Sequence, residues 1–541
     1  MRERTESVLA DLIDIRAEQH PDLDVVTFEH LSLDGLATPD EVRTYAQLGD
    51  NGRRIAGELV RRGMGRGDRF GLMMRNHPEF VEATIAASAS GTVFVPIDPR
   101  TRADKLAYML ANSGCRGLIC ADYTLDEVAA ARAAAHGLEW VLALDTAEDA
   151  GSPKVADVAG VESLRAVLHG PVPTLDCDPA NPEDPVQILY TSGTTGDPKG
   201  IVGSNAAFVR GGMAGYLFGY QPTDRPYTGL SLTHGNAWGV TLMPSLFMGL
   251  RAVMSRKFTK SKLWDVARHY GCTTFSLVGG MAMALYSEPA KPDDDDNPVR
   301  IVVSGGMPGS IWGAFEERFG LQIIEIYGAS DGGGLTFKPA GEGPIGSIGK
   351  PIGAIEMKVL DENDEECPPG VIGEICCRPT DGSKAEVEYF GNEEASQNKV
   401  RGGWNRSGDM AHTDEDGWFF FDYRSGGGIR HNGDFVNSGF VERVIAEHPD
   451  VDDVFVYGAP IVGGTPGEKD VVAAVVPADR ATFDPQTVFA ACRAGLEANF
   501  VPSYIQVVDE IPKTASEKPQ ERLLLDQFNP TAPGVFAEER P

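Results

Sequence analysis

The sequence predicts an α/β protein, with a large N-terminal region of βαβ layers and parallel sheets followed by a smaller, mobile C-terminal α+β domain. Three observations carry that expectation. From Asp68 onward, short β-rich runs alternate with helix-length segments, and a second such series occupies residues 251–328. A glycine-rich stretch at 424–434 then precedes a segment with its own alternation. Strands separated by helix-length segments favour right-handed crossovers and a parallel sheet covered on both faces.

In chain order, the first 22 residues carry an amphipathic helix pattern. RFGLMM (69–74), TVFVPID (92–98), RGLICAD (116–122) and EWVLALD (139–145) read as strands, with helices at 78–91, 103–114 and 125–137 between them. The second series is a strand at 251–255, a helix at 262–271, strands at 273–279 and 299–306, a helix ending at Phe319, and a strand at 321–328. Its glycine-rich turns, SGGMPG (304–309) and YGASDGGG (327–334), follow buried strands. Open α/β sheets bind ligands at the carboxyl ends of their strands, so these turns suggest a small-molecule cleft. PAKPDDDDNP (289–298) reads as a solvated acidic loop rather than a metal site. GGWNRSGDMAHTDEDGW (402–418) reads as a turn-rich connector into the strand FFFDYR (419–424). The expected division is a large domain at 1–424 and a small one at 425–541, the latter with a helix at 439–448, the strands VFVYG and VVAAVV, the helix PQTVFAACRAGLEA and the strand YIQVVDE.

Composition narrows the function classes. The 541 residues are 42% hydrophobic, enough to bury sizeable cores. With 48 basic and 79 acidic residues the formal net charge is −31, a surface that repels nucleic-acid backbones and anionic membranes. The eight cysteines include no CxxC pair, as in a reducing compartment. No run of about 18 apolar residues occurs, so no membrane span is expected and a cytoplasmic location is.

The strongest motif is ILYTSGTTGDPKGI (188–201), an apolar strand running into Thr191, Ser192, Gly193, Thr194, Thr195 and Gly196, then Lys199-Gly200. Glycines allow close backbone approach; amides and hydroxyls donate to phosphate oxygens; Lys199 adds a charge. Asp197-Pro198 separate the second glycine from the lysine, so this is not the Walker loop.

YTSGTTGDPKG resembles the phosphate loop of the adenylate-forming superfamily, which includes acyl-CoA synthetases, peptide-synthetase adenylation domains and luciferases. Further motifs follow in the family's order: TYAQL (44–48), YGASD (327–331), SGDMAHTDEDGWFFFDYR (407–424) and PKTASEK (512–518). SGGMP and NGDFVNSGFVE look most similar to carnitine/crotonobetaine-type acyl-CoA ligases. The resemblance implies an AMP-forming carboxylate–CoA ligase using ATP, Mg²⁺ and CoA on a small carboxylic acid. A homodimer is compatible with it.

Residue by residue, the resemblance implies that 191–199 hold the departing phosphates. Ser304, Gly305, Gly306, Tyr327, Gly328 and Ala329 would border the nucleotide. Ser330 would contact the α-phosphate, and Asp331, where the family usually has Glu, would hold magnesium. Asp409 would bind the ribose and Arg424 would reach the nucleotide from the domain junction. Lys518 would be the catalytic cation, and Gly433 would border the pantetheine tunnel. His234 would gate the acyl pocket, with Trp238, Gly279, Gly332 and Gly333 lining it. Besides Asp331, two further departures stand out: Glu517 replaces the glycine before the catalytic lysine, and Gly426-Gly427-Gly428 occupy the hinge. A ligase that loads a carrier protein or stops at acyl-AMP is the alternative reading, and a non-catalytic nucleotide-binding regulator is the third.

Overall fold

The computed structural model describes all residues except 1–2, 34–38, 147, 149–150, 178–179, 192–197, 279, 330, 425–428, 432–433, 437, 461–468, 497, 515–516 and 539–541. The chain forms two compact units that interleave in sequence. One comprises Met1–Ser276, Asp296–Val303 and Val387–Asn398; the other comprises Leu277–Asp295, Ser304–Glu386 and Lys399–Pro541.

The first unit contains the parallel sheet anticipated from the alternating pattern. Its strands lie in the order Glu162–Ser163, Trp140–Leu144, Cys115–Ala121, Arg69–Met73, Val93–Pro96, Pro185–Thr191 and Lys199–Ser204. All neighbours are parallel except the last pair, an antiparallel hairpin. The crossover helices Pro78–Ser90 and Ala103–Ser113 both end at a left-handed glycine, Gly91 and Gly114, which stops each helix before the next strand. Met73, Val95, Leu118, Val141 and Ile188 belong to one apolar core. A second parallel set is built from Asp24–Phe28, Ala252–Met254 and Pro226–Thr228, with Glu41–Thr44 antiparallel at its edge.

One buried ion cluster pins that edge. Arg256 is almost fully buried; its guanidinium donates to Glu148 Oε1 at 2.5 Å, to the Asn76 carbonyl at 2.6 Å and to Glu41, with His30 Nε2 at 3.1 Å. The guanidinium thus joins three segments far apart in sequence.

The second unit is largely antiparallel. Gln322–Gly328 pairs with Leu335–Lys338, which pairs with Lys350–Pro351. A five-stranded sheet follows, in which Trp404–Thr413 lies between Gly373–Pro379 and Phe419–Arg424. The last part of the chain forms a sheet of Val451–Pro460, Lys469–Pro477, Tyr504–Val507 and Val535–Ala537, covered by the helices Ser438–Ala446 and Pro485–Gly495 around Val441, Val471, Phe489 and Ile505.

Two sequence expectations need correction. Residues 404–413, expected within a connector, form a ten-residue strand whose buried positions include Asn405, Arg406 and Asp409. Those polar side chains meet partners inside the fold, namely the Asp331 carbonyl, Glu374 and Asp364, and Arg424, so the strand lacks the apolar alternation that would have marked it. The acidic loop at 289–298 is not wholly solvated either: Asp294 turns inward and accepts from Arg318 Nε at 2.7 Å.

Arg256→Met should destabilise the protein by about 3–5 kcal/mol, because it strands buried Glu148 and half-buried Glu41 without their cation. Urea unfolding of the variant beside the parent measures this.

Candidate functional site

The centre of the second unit's polar face is Asp409. Strand register sets it directly opposite Arg424, whose Nη1 donates to Asp409 Oδ1 at 2.9 Å. Tyr327, near the end of Gln322–Gly328, donates its hydroxyl to Asp409 Oδ2 at 2.7 Å. Asp409 is 5% exposed, so the Tyr327 hydrogen bond lies in a medium that screens poorly, whereas the Arg424 side chain is 45% exposed and water partly screens its charge. Burial first, and then the neighbouring Asp409 charge, push the Tyr327 phenol well above its ordinary range. Tyr327 is therefore a fixed hydroxyl donor.

Lys518, an exposed residue, lies within electrostatic reach of this cluster. Nearby protein lowers its ammonium pKa first and the Arg424 charge lowers it further, whereas Asp409 and Asp331 draw it back up. Its backbone is set by a tight hairpin: Thr514 N–H donates to the Lys518 carbonyl at 2.8 Å, Glu517 N–H to the Thr514 carbonyl at 3.0 Å, and Lys518 N–H to Thr514 Oγ1 at 3.2 Å. Lys513 and Pro519 pair across its base. Hairpins often close on a left-handed residue, the usual place of glycine. Glu517 fills that place at φ 56°. The departure noted in the sequence thus occupies a position whose backbone disfavours a side chain.

Asp331 follows the turn after Gly328 and Ala329, where Gly332 N–H donates to the Ala329 carbonyl at 3.2 Å. Its Oδ2 lies 2.8 Å from Lys399 Nζ, and its main-chain carbonyl accepts from Asn405 Nδ2 at 3.1 Å. Cys377 Sγ contacts the Gly332 carbonyl at 3.1 Å, and burial raises its thiol to about 11, so it stays protonated. Among the described residues no group of three or more His, Cys, Asp or Glu side chains forms a metal cage. One carboxylate nevertheless suits magnesium, which takes one or two protein carboxylates and fills its remaining positions with substrate phosphates and water.

The turn at Ser304, Gly305 and Gly306 is held by Glu325, a residue the sequence analysis passed over. The Glu325 carboxylate accepts from Gly306 N–H and, at 3.1 Å, from Met307 N–H. Burial raises it to about 8, against the opposing pull of those amides, Ser304 and Lys338. A lone acid inside the apolar run LQIIEIYG was the available signal. Lys399 and Asn405, also overlooked, gave none, since both lie in polar sequence. Of the pocket glycines, a side chain at Gly332 would meet only Asn405 Nδ2, at 3.9 Å, whereas one at Gly333 would press on Ala329 Cβ at 2.7 Å. Gly333 serves close packing.

The first unit holds the other expected residues. Thr191 and Lys199 are paired across the hairpin, and the Lys199 ammonium stands 5.1 Å from the centre of the Tyr389 ring. His234 is half-buried, its Nδ1 accepting from Asn236 N–H at 3.3 Å. Trp238 is buried, donates to the Leu232 carbonyl, and packs against Phe208 with ring centres 4.7 Å apart. Ser192, Gly193, Thr194, Thr195, Gly196, Gly279, Ser330 and Gly433 lie outside the described residues, as does the Gly426–Gly428 hinge.

The family profile "AMP-binding enzyme" matches residues 13–382, and "AMP-binding enzyme C-terminal domain" matches 441–518. The chain belongs to the AMP-binding enzyme family. The adenylate-forming resemblance seen in the sequence is thereby confirmed. A Medium/long-chain-fatty-acid–CoA ligase, FadD17 of Mycobacterium marinum, is 30% identical over 91% of this chain and 92% of its own. The Fatty acid–[acyl-carrier-protein] ligase ScoC of Streptomyces coeruleorubidus is 30% identical over 90% and 91%. The Crotonobetaine/carnitine–CoA ligase of Salmonella choleraesuis is 26% identical over 88% and 91%, in line with the subgroup resemblance. The crystal structure of the anthranilate CoA ligase AuaEII with anthranoyl-AMP shares the fold, at a TM-score of 0.79 and 23% identity over 96% of this chain and 97% of that one. No helix among the described residues is long and apolar enough to cross a membrane.

Glu325 titrates near 4.5 when unfolded and near 8 when folded, so it favours the folded state fully below about pH 4.5, a contribution lost as pH rises toward 8. Glu325→Gln should therefore gain on the parent by at most about 1.4 kcal/mol per pH unit across that window in urea unfolding. Glu517→Gly should raise stability by about 1 kcal/mol by relieving the left-handed backbone, read as a higher thermal midpoint without ligands.

Proposed function

We propose that this adenylate-forming enzyme is an ATP-dependent acyl-CoA synthetase. It activates a carboxylic acid as acyl-AMP with release of pyrophosphate, then passes the acyl group to the thiol of CoA. The observation that supports the reading is that Lys518, from one motif, lies within electrostatic reach of Asp409, Arg424 and Asp331, from two others.

In the first half-reaction a carboxylate oxygen forms a bond to the α-phosphorus and the bond to the pyrophosphate oxygen breaks. Two anions must approach, so positioning and charge neutralisation supply the catalysis. Lys518 neutralises the approaching carboxylate and the α-phosphate. Asp409, held by Tyr327 and Arg424, accepts from the ribose hydroxyls, and Arg424 adds a second cation near the nucleotide. The hairpin from Thr191 to Lys199 supplies hydroxyls, amides and an ammonium for the leaving pyrophosphate, and Ser330 a hydroxyl for the α-phosphate. Ser304–Gly306 and Tyr327–Ala329 border the nucleotide, with Glu325 fixing the first of these turns. Asp331 would hold magnesium, which supplies charge neutralisation to the phosphates when bound.

In the second half-reaction the thiolate sulfur bonds to the acyl carbon and AMP departs. The small domain, 425–541, presents a different face for this step through rotation at the glycine hinge, and Gly433 borders the thiol's path. His234, Trp238, Gly279 and Gly332 face the acyl chain in this reading. ATP and CoA supply fits a cytoplasmic setting.

The 30% identity to a carrier-protein ligase favours one second reading, in which a phosphopantetheine carrier replaces CoA as acceptor. Pyrophosphate exchange into ATP across a panel of medium-chain, long-chain and betaine-type acids, followed by thioester assays with CoA and with a holo carrier protein, separates the two. CoA thioester is the expected product; exchange with thioester on the carrier alone would select the second reading, and no exchange with any acid would remove both. Lys518→Ala should lower exchange by at least about a hundredfold while thioester formation from supplied acyl-AMP persists. Unimpaired exchange in that variant would remove Lys518 from the chemistry.

A further inference from the structure

Asp331 does not wait as a bare carboxylate. Its Oδ2 is held at 2.8 Å by Lys399 Nζ, and the two side chains are only 12% and 14% exposed. Water therefore screens this pair far less than an ordinary surface bridge. Lys399 has a second acceptor, the Ser407 carbonyl at 3.3 Å, which can keep one of its protons when Asp331 is released. Asn405 holds the Asp331 main-chain carbonyl independently, so the loop keeps its course whether or not the side-chain pair is made.

A divalent cation and an ammonium cannot both sit within bonding distance of one shielded carboxylate oxygen without strong repulsion. We propose that Lys399 is an exchangeable counter-ion, which neutralises Asp331 in the nucleotide-free enzyme and yields it to the magnesium arriving with ATP. The inference rests on the reading that Asp331 serves the metal of the nucleotide. Lys399 is thus a positioning residue, acting through Asp331. It keeps the shielded carboxylate oriented between turnovers, and it raises the concentration of free Mg²⁺ needed to load the site.

The test is nucleotide binding rather than turnover. Binding of a non-hydrolysable ATP analogue to the full-length protein is followed by calorimetry across a series of Mg²⁺ concentrations. Lys399→Gln should lower the half-saturating Mg²⁺ by about tenfold, whereas Lys399→Arg, which keeps the counter-ion, should stay within about twofold of the parent. An unchanged or higher requirement in Lys399→Gln overturns the proposal, as does loss of analogue binding, which would make Lys399 a phosphate ligand. A parent protein that binds no analogue at any Mg²⁺ concentration overturns the nucleotide reading along with it. A measurement on the parent alone guards against a variant that does not fold: amine labelling with acetic anhydride, read by mass spectrometry, should increase at Lys399 when Mg²⁺ and the analogue are added. Unchanged or reduced labelling there overturns the exchange.

Discussion

The second unit is organised around a charge that it buries. An isolated carboxylate moved out of water costs several kcal/mol, and the fold offsets that cost at Asp409 with a guanidinium and a phenol. Each partner arrives on a different strand: Tyr327 from Gln322–Gly328, Arg424 from Phe419–Arg424, and Asp409 itself from the strand between Gly373–Pro379 and Phe419–Arg424. Satisfying the carboxylate therefore fixes the mutual placement of all three. Lys518 feels the same charge, so the group that stabilises the polar face also helps keep the lysine protonated. Structure and proposed chemistry draw on one electrostatic arrangement.

The parallel layers of the first unit were legible because both signals agree there. Val93–Pro96 and Trp140–Leu144 are buried along their whole length and flanked by turn residues, while Pro78–Ser90 is capped by glycine. Trp404–Thr413 was hidden for the opposite reason. Its buried side chains include an asparagine, an arginine and an aspartate, paired with Asp331, with Asp364 and Glu374, and with Arg424. Hydropathy reads such a strand as surface because it records only what a side chain prefers, and not which partner is waiting inside the fold.

The candidate site divides in the same way. Tyr327, Asp331, Asp409, Arg424 and Lys518 stood in motifs whose order along the chain gave them away. Glu325 and Lys399 work through contacts formed only after folding: one accepts two amides from a turn nineteen and eighteen residues upstream, the other reaches a carboxylate sixty-eight residues away. No local pattern encodes such a meeting. Glu517 is intermediate: its unusual identity was visible in the sequence, but the left-handed backbone that gives that identity a cost became visible only in the folded hairpin.

The strand that carries Asp409 is irregular on both edges. Its register shifts between Met410 and Ala411 against Phe419–Arg424, and opposite Glu374 to Cys376 on the other side. Side chains alternate faces, so these two slips decide which way Asp409 points. One residue gained or lost between Arg406 and Met410 would turn its carboxylate to the opposite surface, leaving Arg424 and Tyr327 behind. The length of this strand is thus a tighter constraint than the residue types at its outward positions, and a segment grafted here should preserve spacing before chemistry.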